Sequence, residues 1–573
     1  MTGAQMVIEA LKAEGVEVVF GYPGGAVLPL YDALYDSGLR HILTRHEAGA
    51  AHAADGYARA TGRVGVCIAT SGPGATNLVT GIANAYMDSV PVVAFTGQVA
   101  LPLLGRDSFQ EVDITGITLP ITKHNFIVKD LQRLPRTIKE AFYIARTGRP
   151  GPVLIDIPKD ITQTEGYYRY PKEVSLRGYR PIFEGSIEAV EQAAEEIVRA
   201  RRPVLFIGGG VTISNTWNSI REIVELTGIP VVSSLMGLGN FPGDDPLFLG
   251  MVGMHGTYAA NMAVSECDLL LGIGVRFDDR VTGKIDEFAP NAKIIHFDID
   301  PAEIGKNVRV DVPVVGDLRW SLSALLECLK DDDFVACDHR RGRGRLDEWQ
   351  ETVTRWKTER PLTYRQSDPD AECSIKPQYV IEEIYRVTDG NAVVVTDVGQ
   401  HQMWAAQYYT HKRPRSFITS GGLGTMGYGL PAAIGAQVGR PGEVVFLVSG
   451  DGSLLMNCQE LVTASEQRLP VKIAVFNNMY LGMVRQWQEF FFGKRYSHSC
   501  LNGSADYVKL AEALGCNGLR VTKARDVRAG LERAMSLNGP VVIDFRICPE
   551  ENVLPMVPAG GSLAKMMGCF PEG

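Results

Sequence analysis

Two polar motifs in the carboxyl-terminal part of the chain could bind a cation. Asp451, in a Gly-Asp-Gly turn, follows the apolar run Val444–Val448, and Asn478 follows the apolar run Val471–Phe476. Because a right-handed crossover brings the carboxyl ends of neighbouring parallel strands to one sheet edge, we expect the two side chains to converge there. Their oxygens and the carbonyl of Tyr480 are hard ligands that suit Mg²⁺. Oxygens of water and of a diphosphate would complete the coordination shell of the ion.

The combination of these motifs carries more information than either motif alone. A single Gly-Asp-Gly is usually a turn, and a single Asn-Asn is usually a turn or a helix cap. Here each motif follows an apolar run, and the glycines beside Asp451 allow the backbone to approach a phosphate closely. The spacing therefore predicts a magnesium and diphosphate site.

A third candidate group is a carboxylate near the amino end of the chain. Glu47 lies in the segment Arg45–Ala50, where a predicted strand ends and the helical pattern Ala48–Arg59 begins. Most glutamates in such a place are helix-terminal carboxylates that the helix dipole favours. A buried carboxylate could instead hold a proton for catalysis. On the residues alone, both interpretations stay open.

Apolar β-branched runs without alternation must position these groups, and they predict parallel sheets covered by helices on both faces. They fall into three blocks, which predict an α/β fold of three doubly wound parallel-sheet domains at 1–165, 184–330 and 370–550, with a tail at 551–573. A crossover helix is predicted at about 457–466. The predicted strands are Val16–Phe20, His41–Leu43, Val64–Thr70, Val90–Thr96, Pro152–Ile157, Pro203–Ile207, Asp268–Ile273, Lys293–Phe297, Ala392–Thr396, Val444–Val448, Val471–Phe476 and Val541–Phe545.

The first and third blocks share a short repeat. Gly151–Asp156 reads GPVLID and Gly539–Asp544 reads GPVVID, each near the end of its block. The repeat predicts two similar α/β units on either side of a different middle unit. After Lys330 the chain turns from an acidic to a basic run, which predicts a solvated connector.

The composition is that of a folded, soluble protein. Of 573 residues, 45% are hydrophobic and 21% are charged, and the net charge is −9. No basic run could follow a nucleic-acid backbone, and no run of about 18 apolar residues could span a membrane, so neither partner is expected. Scattered cysteines without a CxxC pair indicate free thiols, and no signal or transit pattern is present, which together predict a cytoplasmic protein.

The motifs together resemble those of a known enzyme family. The Gly-Asp-Gly and Asn-Asn pair resembles the thiamine diphosphate (ThDP) motif, and Tyr22–Ala26 and Ser71–Asn77 resemble the pyrimidine-binding domain of ThDP enzymes. Within these enzymes, the chain resembles the catalytic subunit of the acetohydroxyacid synthase family over nearly its whole length. Leu101–Arg106 and the residues after Pro558 depart from the family pattern. The resemblance lies in Gly21–Leu34, Arg45–Arg63, Ser108–Asp113, Gly253–Asn261, Arg276–Gly283, Asp397–Gln407, Gly421–Ala436 and Asn477–Phe492.

The resemblance implies a role for each block. The first block would bind the ThDP pyrimidine, the third its diphosphate, and the middle one FAD. Glu47 would favour the imino tautomer of the aminopyrimidine, and Mg²⁺ would be held by Asp451, Asn478 and Tyr480. Trp487 would recognise the second 2-oxoacid, although a core role is the alternative for Trp487 and for Met426. Gly25, Phe109, Gln110 and Lys159 would line the substrate cleft, and ThDP and its metal would contact Gln400, His401, Gly424, Met426, Asp451, Gly452, Ser453, Asn478, Tyr480, Gly482 and Met483.

The middle block resembles the FAD-holding domain of this family. Gly208–Gly210 after an apolar strand is a weak dinucleotide signal, because a full GxGxxG is missing. Arg276 and Arg280 could otherwise form a surface ion-pair cluster with Asp278 and Asp279. FAD would perform no redox step in this reaction. The residues implied in its binding are Arg149, Gly209, Gly210, Met254, His255, Gly256, Arg276, Arg280 and Asp298.

The implied activity is acetolactate synthesis. Pyruvate would be decarboxylated on ThDP, and the hydroxyethyl unit would join a second pyruvate, giving 2-acetolactate, or 2-oxobutyrate, giving 2-aceto-2-hydroxybutyrate, in branched-chain amino-acid biosynthesis. The active sites would lie between the subunits of a homodimer or homotetramer, with a small regulatory subunit as a further partner. One alternative is another ThDP enzyme such as pyruvate oxidase; another is an inactive nucleotide-binding scaffold, which would be expected to lose Glu47, Asp451 or Asn478.

Overall fold

The computed structural model describes residues 1–331, 344, 346–366, 368–502 and 505–568. This part of the chain contains three parallel sheets of six strands each. The strands are β1 (Val18–Gly21), β2 (Arg40–Leu43), β3 (Gly65–Ala69), β4 (Val92–Gln98), β5 (His124–Ile127), β6 (Val153–Pro158), β7 (Pro203–Ile207), β8 (Val231–Ser233), β9 (Phe248–Met251), β10 (Leu269–Ile273), β11 (Lys293–Asp298), β12 (Val312–Val315), β13 (Val393–Thr396), β14 (Phe417–Ile418), β15 (Val445–Gly450), β16 (Lys472–Asn477), β17 (Asn517–Val521) and β18 (Val541–Arg546).

The order of the strands confirms the predicted α/β class and explains the short repeat. The first sheet runs β2-β1-β3-β4-β6-β5, and the third runs β14-β13-β15-β16-β18-β17, which is the same order within its own unit. The middle sheet runs β12-β11-β10-β7-β8-β9. The two repeat segments form β6 and β18, which hold equivalent places, so the repeat reflects two units of one topology around a different one.

Helices connect the parallel strands and bury an apolar side against them. In the helix Leu134–Arg146, Leu134, Ile138, Ala141 and Ala145 are buried at helical spacing. The other α-helices are Gly3–Ala13, Leu28–Tyr35, Glu47–Thr61, Pro73–Asn77, Val79–Met87, Ile114–Thr118, Lys159–Gln163, Ile187–Arg199, Gly209–Ser214, Trp217–Thr227, Tyr258–Glu266, Asp279–Thr282, Leu318–Lys330, Asp347–Glu359, Pro377–Thr388, Gln400–Tyr408, Gly429–Gly439, Asp451–Leu455, Glu460–Glu466, Gly482–Phe491, Tyr507–Ala513 and Val527–Ser536.

The first and third units share one hydrophobic core. Helix Glu47–Thr61 of the first unit packs along helix Gly429–Gly439 of the third. Glycines permit the close approach, because a Cβ on Gly435 would lie 1.9 Å from the carbonyl oxygen of Ala53. The middle unit has cores of its own around its sheet. The two outer units are therefore joined by side-chain packing as well as by the chain.

The structure differs from the sequence-based prediction mainly at the sheet edges. The strands β2, β5, β9, β12, β14 and β17 lie at the edges, and all of them except β2 were missing from the prediction. Edge strands are exposed on one side, so their apolar pattern is weaker, as in β5, which has no fully buried residue. The helix predicted at about 457–466 begins at Glu460, and a separate short helix, Asp451–Leu455, precedes it.

The tail crosses from the third unit to the middle one. Leu563 and Met566 are buried in a core of the middle unit, and the backbone N–H of Val557 donates to the carbonyl of Met254, 2.8 Å away. The predicted connector after Lys330 lies almost wholly outside the described residues, as does the tail from residue 569 onward. No helix among the described residues is long and apolar enough to cross a membrane.

Candidate active site

The two predicted metal-binding motifs meet at the carboxyl ends of two central strands of the third sheet, β15 and β16. We call this place, with Asp451 and Asn478, the metal edge. Strands β15 and β16 pair in parallel with Gly450 opposite Phe476, so Asp451 and Asn478 leave the sheet side by side. The backbone N–H of Met479, next to Asn478, donates to Asp451 Oδ2 over 2.8 Å. Asp451 and Asn478 line the same small cavity, together with Tyr480. The structure thus brings together the three residues that the sequence analysis proposed as metal ligands.

This small cavity collects most of the residues assigned to the diphosphate and its metal. Its volume is about 60 Å³. Gly482 packs tightly against the side chain of Gln400, because a Cβ at this position would lie 2.2 Å from Gln400 Oε1. The predicted residues that line it are Gln400, His401, Met426, Asp451, Gly452, Ser453, Asn478, Tyr480, Gly482 and Met483.

Burial perturbs the titratable groups of the small cavity in opposite directions. It raises the pKa of Asp451 to about 7, although backbone N–H groups of Gly452 and Met479 donate to the carboxylate. It lowers the pKa of His401 to about 3, so this imidazole is neutral. The Nε2 of His401 is buried and has no hydrogen-bond partner within the described residues. A bound cation would stabilise the charged form of Asp451, and a ligand could pair with His401.

A larger cavity opens where the three units meet. Its volume is about 1060 Å³. Met426 and Met483 line both cavities, so the two are adjacent. Gly256 borders neither of them. The predicted residues that line the large cavity are Arg149, Gly209, Gly210, Met254, His255, Arg276, Arg280, Asp298, Gly424, Met426, Met483 and Trp487.

The polar groups of the large cavity are partly committed to neighbours. Arg149 donates from Nε to Ser89 Oγ over 2.8 Å and forms an ion pair with Glu303 at 2.7 Å. Burial raises the pKa of Asp298, at the end of β11, to about 7. His255 has a buried Nδ1 without a partner in the described part of the chain. A polar atom left unpaired in an open cavity is a position where a ligand can bind.

The arginines after β10 support the ligand interpretation more than the ion-pair one. Arg276 lies 3.5 Å from Asp278, and Arg280 lies 3.9 Å from Asp279, so both pairs are ion pairs without a short hydrogen bond. The guanidinium groups therefore keep donors for another partner. Both arginines border the large cavity.

Trp487 faces the large cavity instead of filling a core. It is only partly buried, on helix Gly482–Phe491, and its ring meets that of Phe491 at 5.5 Å between centroids. Its neighbour Gln486 is fully buried. The helix therefore presents Trp487 next to Met483, which borders both cavities.

The predicted residues of the first unit lie elsewhere. Glu47, Gly25, Phe109, Gln110 and Lys159 border neither cavity within the described structure. Glu47 is 9% exposed at the start of its helix, and Asn77 Nδ2 donates to its Oε2 over 2.9 Å. Phe109 is 89% exposed, and Gly25 is also exposed. All five residues belong to the first unit and lie apart from the two cavities.

Several further residues shape the site, and no specific pattern in the sequence indicated them. Asp88 and Ser89 reach the large cavity from the first unit, and Ser420–Gly422 reach it from the third. Asp88 accepts hydrogen bonds from the backbone N–H groups of Gly421, at 2.9 Å, and Gly422, at 2.7 Å. The one available signal was a charged residue just before an apolar strand, which is too common to be specific.

Comparisons with known proteins agree with this architecture. Models of thiamine pyrophosphate enzymes match each unit: the N-terminal TPP binding domain at residues 1–117, the central domain at 190–325 and the C-terminal TPP binding domain at 397–545. These ranges contain Glu47, the middle sheet and the predicted metal ligands, respectively.

Relatives cover nearly the whole chain. An acetolactate synthase of Mycobacterium bovis is 52% identical over 98% of this chain and 90% of its own. A probable acetolactate synthase large subunit of Methanocaldococcus jannaschii is 51% identical over 99% of this chain and 95% of its own. The acetolactate synthase isozyme 2 large subunit of Escherichia coli is 49% identical over 99% of both chains. The chain therefore belongs to the acetolactate synthase family of thiamine pyrophosphate enzymes.

Proposed function

We propose that this chain is the catalytic large subunit of an acetolactate synthase. It decarboxylates pyruvate and transfers the two-carbon unit to a second pyruvate or to 2-oxobutyrate. The observation that carries the proposal is the metal edge of the third sheet, in a chain about half identical to acetolactate synthases over nearly its full length. The products are 2-acetolactate and 2-aceto-2-hydroxybutyrate, which lead to branched-chain amino acids.

The residues of the small cavity fit Mg²⁺ and a diphosphate. One carboxylate, one amide and one backbone carbonyl form a hard oxygen set that Mg²⁺ accepts with water and phosphate oxygens as further ligands. The unpaired Nε2 of His401 offers a hydrogen-bonding group to a diphosphate.

The large cavity fits FAD in a binding role. Its volume suits an extended dinucleotide, and its wall includes the glycine backbone at 209–210, which opens the helix after β7. The unpaired His255 Nδ1 and the loosely paired Arg276 and Arg280 would contact the ligand. Asp298 is the last residue of β11, and an acidic residue at the end of a strand is usual in dinucleotide sites.

The chain's own residues orient the reactants and manage protons. ThDP supplies the carbanion and the electron sink that decarboxylation of a 2-oxoacid requires. Asp451, Asn478 and Tyr480 would hold the metal, and Met426, which lies where both cavities meet, would support a bent ligand. Glu47 would exchange a proton with the bound aminopyrimidine, and Asn77 donates a hydrogen bond to its Oε2. Trp487 offers apolar area to the substituent of the acceptor 2-oxoacid.

The separation of the predicted first-unit residues from the metal edge supports a homodimer. Glu47, Gly25, Phe109 and Gln110 need a cofactor to act on, yet the metal edge of the same chain lies at other cavities. A second copy would place its metal edge against the exposed Phe109 and the neighbouring apolar residues Leu28 and Leu103. Because its relatives are named large subunits, a small subunit is a further proposed partner.

The direct test is product formation by the purified chain. Pyruvate is supplied with ThDP and Mg²⁺, with and without FAD, and acetolactate is measured after acid conversion to acetoin. We expect formation that depends on ThDP and Mg²⁺. Consumption of oxygen with release of acetate or acetyl phosphate would instead indicate a pyruvate oxidase, and binding without turnover would indicate an inactive scaffold.

A further inference from the structure

A buried carboxylate of the third unit reaches the start of the helix that carries Glu47. Glu460 begins the helix Glu460–Glu466, and it is 0% exposed. Its Oε1 accepts hydrogen bonds from the backbone N–H groups of Arg45, at 2.8 Å, and His46, at 3.1 Å. Its Oε2 accepts a hydrogen bond from Thr463 Oγ1 at 2.8 Å. The mechanism above assigns no role to this group.

Glu460 contacts the backbone on both sides of Glu47. Arg45 and His46 directly precede it in sequence, and His46 is the N-cap of its helix, where its Nδ1 accepts from the N–H of Ala48 at 3.1 Å. On the other side, a Cβ added to Gly49 would lie 2.4 Å from Glu460 Oε1. A carboxylate so tightly enclosed restricts the path of the chain through Glu47.

The chemistry of the contact is stronger than a simple tie between units requires. Hydrogen bonds to an ionised acceptor are about twice as strong as neutral ones. Burying a carboxylate is costly, and burial raises the pKa of Glu460 to about 7 against the stabilising donors. A neutral side chain could join the two units at lower cost. The contact is therefore suited to fixing the backbone accurately. Accurate placement of the Glu47 carboxylate, one residue after His46, requires such a backbone.

We propose that Glu460 is a positioning residue that fixes the backbone before Glu47 and thereby aims the Glu47 carboxylate. The inference rests on the proposed function, because Glu47 has an activating role only if the chain binds ThDP. Glu460 itself touches neither of the two cavities. Its effect is therefore expected on the activation of the cofactor and not on the binding of the cofactor.

The experiment compares Glu460→Ala, Glu460→Gln and Glu47→Gln in the full chain. Affinity for ThDP with Mg²⁺ is measured by calorimetry, and activation is measured without substrate as exchange of the thiazolium C2 proton with deuterium by NMR. Misplacing a catalytic group by about 1 Å costs about 100-fold in rate. We expect Glu460→Ala to slow exchange by about 10- to 100-fold with ThDP affinity unchanged. Glu460→Gln keeps an oxygen acceptor of the same reach but loses the charge, so its exchange rate should fall between those of the parent and Glu460→Ala.

A double variant separates positioning from general damage. If Glu460 acts through Glu47, adding Glu460→Ala to Glu47→Gln should slow exchange little further, because residues that act as a unit are not additive. Fully additive losses, or exchange by Glu460→Ala within about twofold of the parent, would overturn the proposal. If Glu460→Ala does not fold, Glu460→Asp, which shortens the same group by one methylene, decides under the same criteria.

The outcomes also distinguish this inference from the proposed function. Normal exchange in Glu47→Gln as well would overturn the role of Glu47, and with it this inference. A parent protein that exchanges the C2 proton but forms no acetolactate would overturn the proposed reaction and leave the positioning role intact. A loss of ThDP affinity in Glu460→Ala equal to its loss of exchange would show a structural role only.

Discussion

Asp88 offers a sharp test of how the first unit holds the site together. Its side chain is 0% exposed and lies 2.8 Å from the guanidinium of Arg59, which is also nearly buried. Its oxygens also accept hydrogen bonds from the backbone N–H groups of Gly421 and Gly422. Gly421 and Gly422 line the large cavity just before Gly424. Removing the carboxylate should therefore disturb both a buried ion pair and the loop that borders the cavity.

The expected cost follows from these contacts. Removing one partner of a buried ion pair costs about 3–5 kcal/mol, because the other charge stays buried. Each backbone N–H left without an acceptor adds about 1–3 kcal/mol. Asp55 lowers the total, because it keeps a 2.6 Å ion pair with Arg59. For Asp88→Ala we therefore expect a loss of about 3–5 kcal/mol in the free energy of unfolding.

Urea unfolding followed by circular dichroism measures this loss as a shift of the midpoint. Asp88→Asn is the matched control, because it keeps the shape and one acceptor oxygen but lacks the charge, so its loss should be smaller. The Asp88→Ala protein should also retain FAD less well, since the loop at Gly421 loses its anchor. A change in stability below about 1 kcal/mol for Asp88→Ala would refute the reasoning.

Three further outcomes are expected. Asp451→Ala should abolish Mg²⁺-dependent retention of ThDP in calorimetry, and unchanged affinity would place the ligands elsewhere. Trp487→Leu should keep acetolactate synthesis but lose the preference for 2-oxobutyrate, because the contact with the extra methylene is worth about 1–3 kcal/mol. A competition assay with both acceptors measures this preference as the product ratio, and an unchanged ratio with lower stability would contradict the role. Burial lowers the pKa of His411 from 6.5 to about 4, so the folded protein loses stability as the pH falls from 6.5 towards 4, where only the unfolded chain takes up the proton readily. Between pH 7 and pH 5, the free energy of unfolding of His411→Gln should therefore fall by about 2 kcal/mol less than that of the parent, as measured in thermal melts. Equal falls in the two proteins would contradict this.

The sequence predicted what depends on local pattern. The inner strands β3, β4, β15 and β16 were found within two or three residues at each end, because strands buried on both faces are continuous apolar runs. The convergence of Asp451 and Asn478 followed from strand order alone. The meeting of these two side chains could thus be predicted before any coordinates, whereas their role as metal ligands stays a prediction.

What depends on packing between distant segments could not be predicted. Edge strands such as β5 and β17 lack a strong pattern, and their places are set by the neighbours they pair with. The contact of Glu460 with Arg45 and His46, and that of Asp88 with Gly421, join residues from different units. No local signal marks either pair, because each depends on how one helix of the first unit rests on the third.

The core shared by helices Glu47–Thr61 and Gly429–Gly439 also sets the order of assembly during synthesis. The first helix is made long before the second, with the whole middle unit between them. Until the second helix appears, the nascent first unit exposes the small apolar face that includes Ala53 and Ala54, which are fully buried in the finished protein. A fragment that ends before residue 429 would keep this face uncovered, and exposed apolar surface of this kind makes a folding intermediate prone to aggregate. The amino-terminal unit is thus the first to be translated, yet it completes its core among the last.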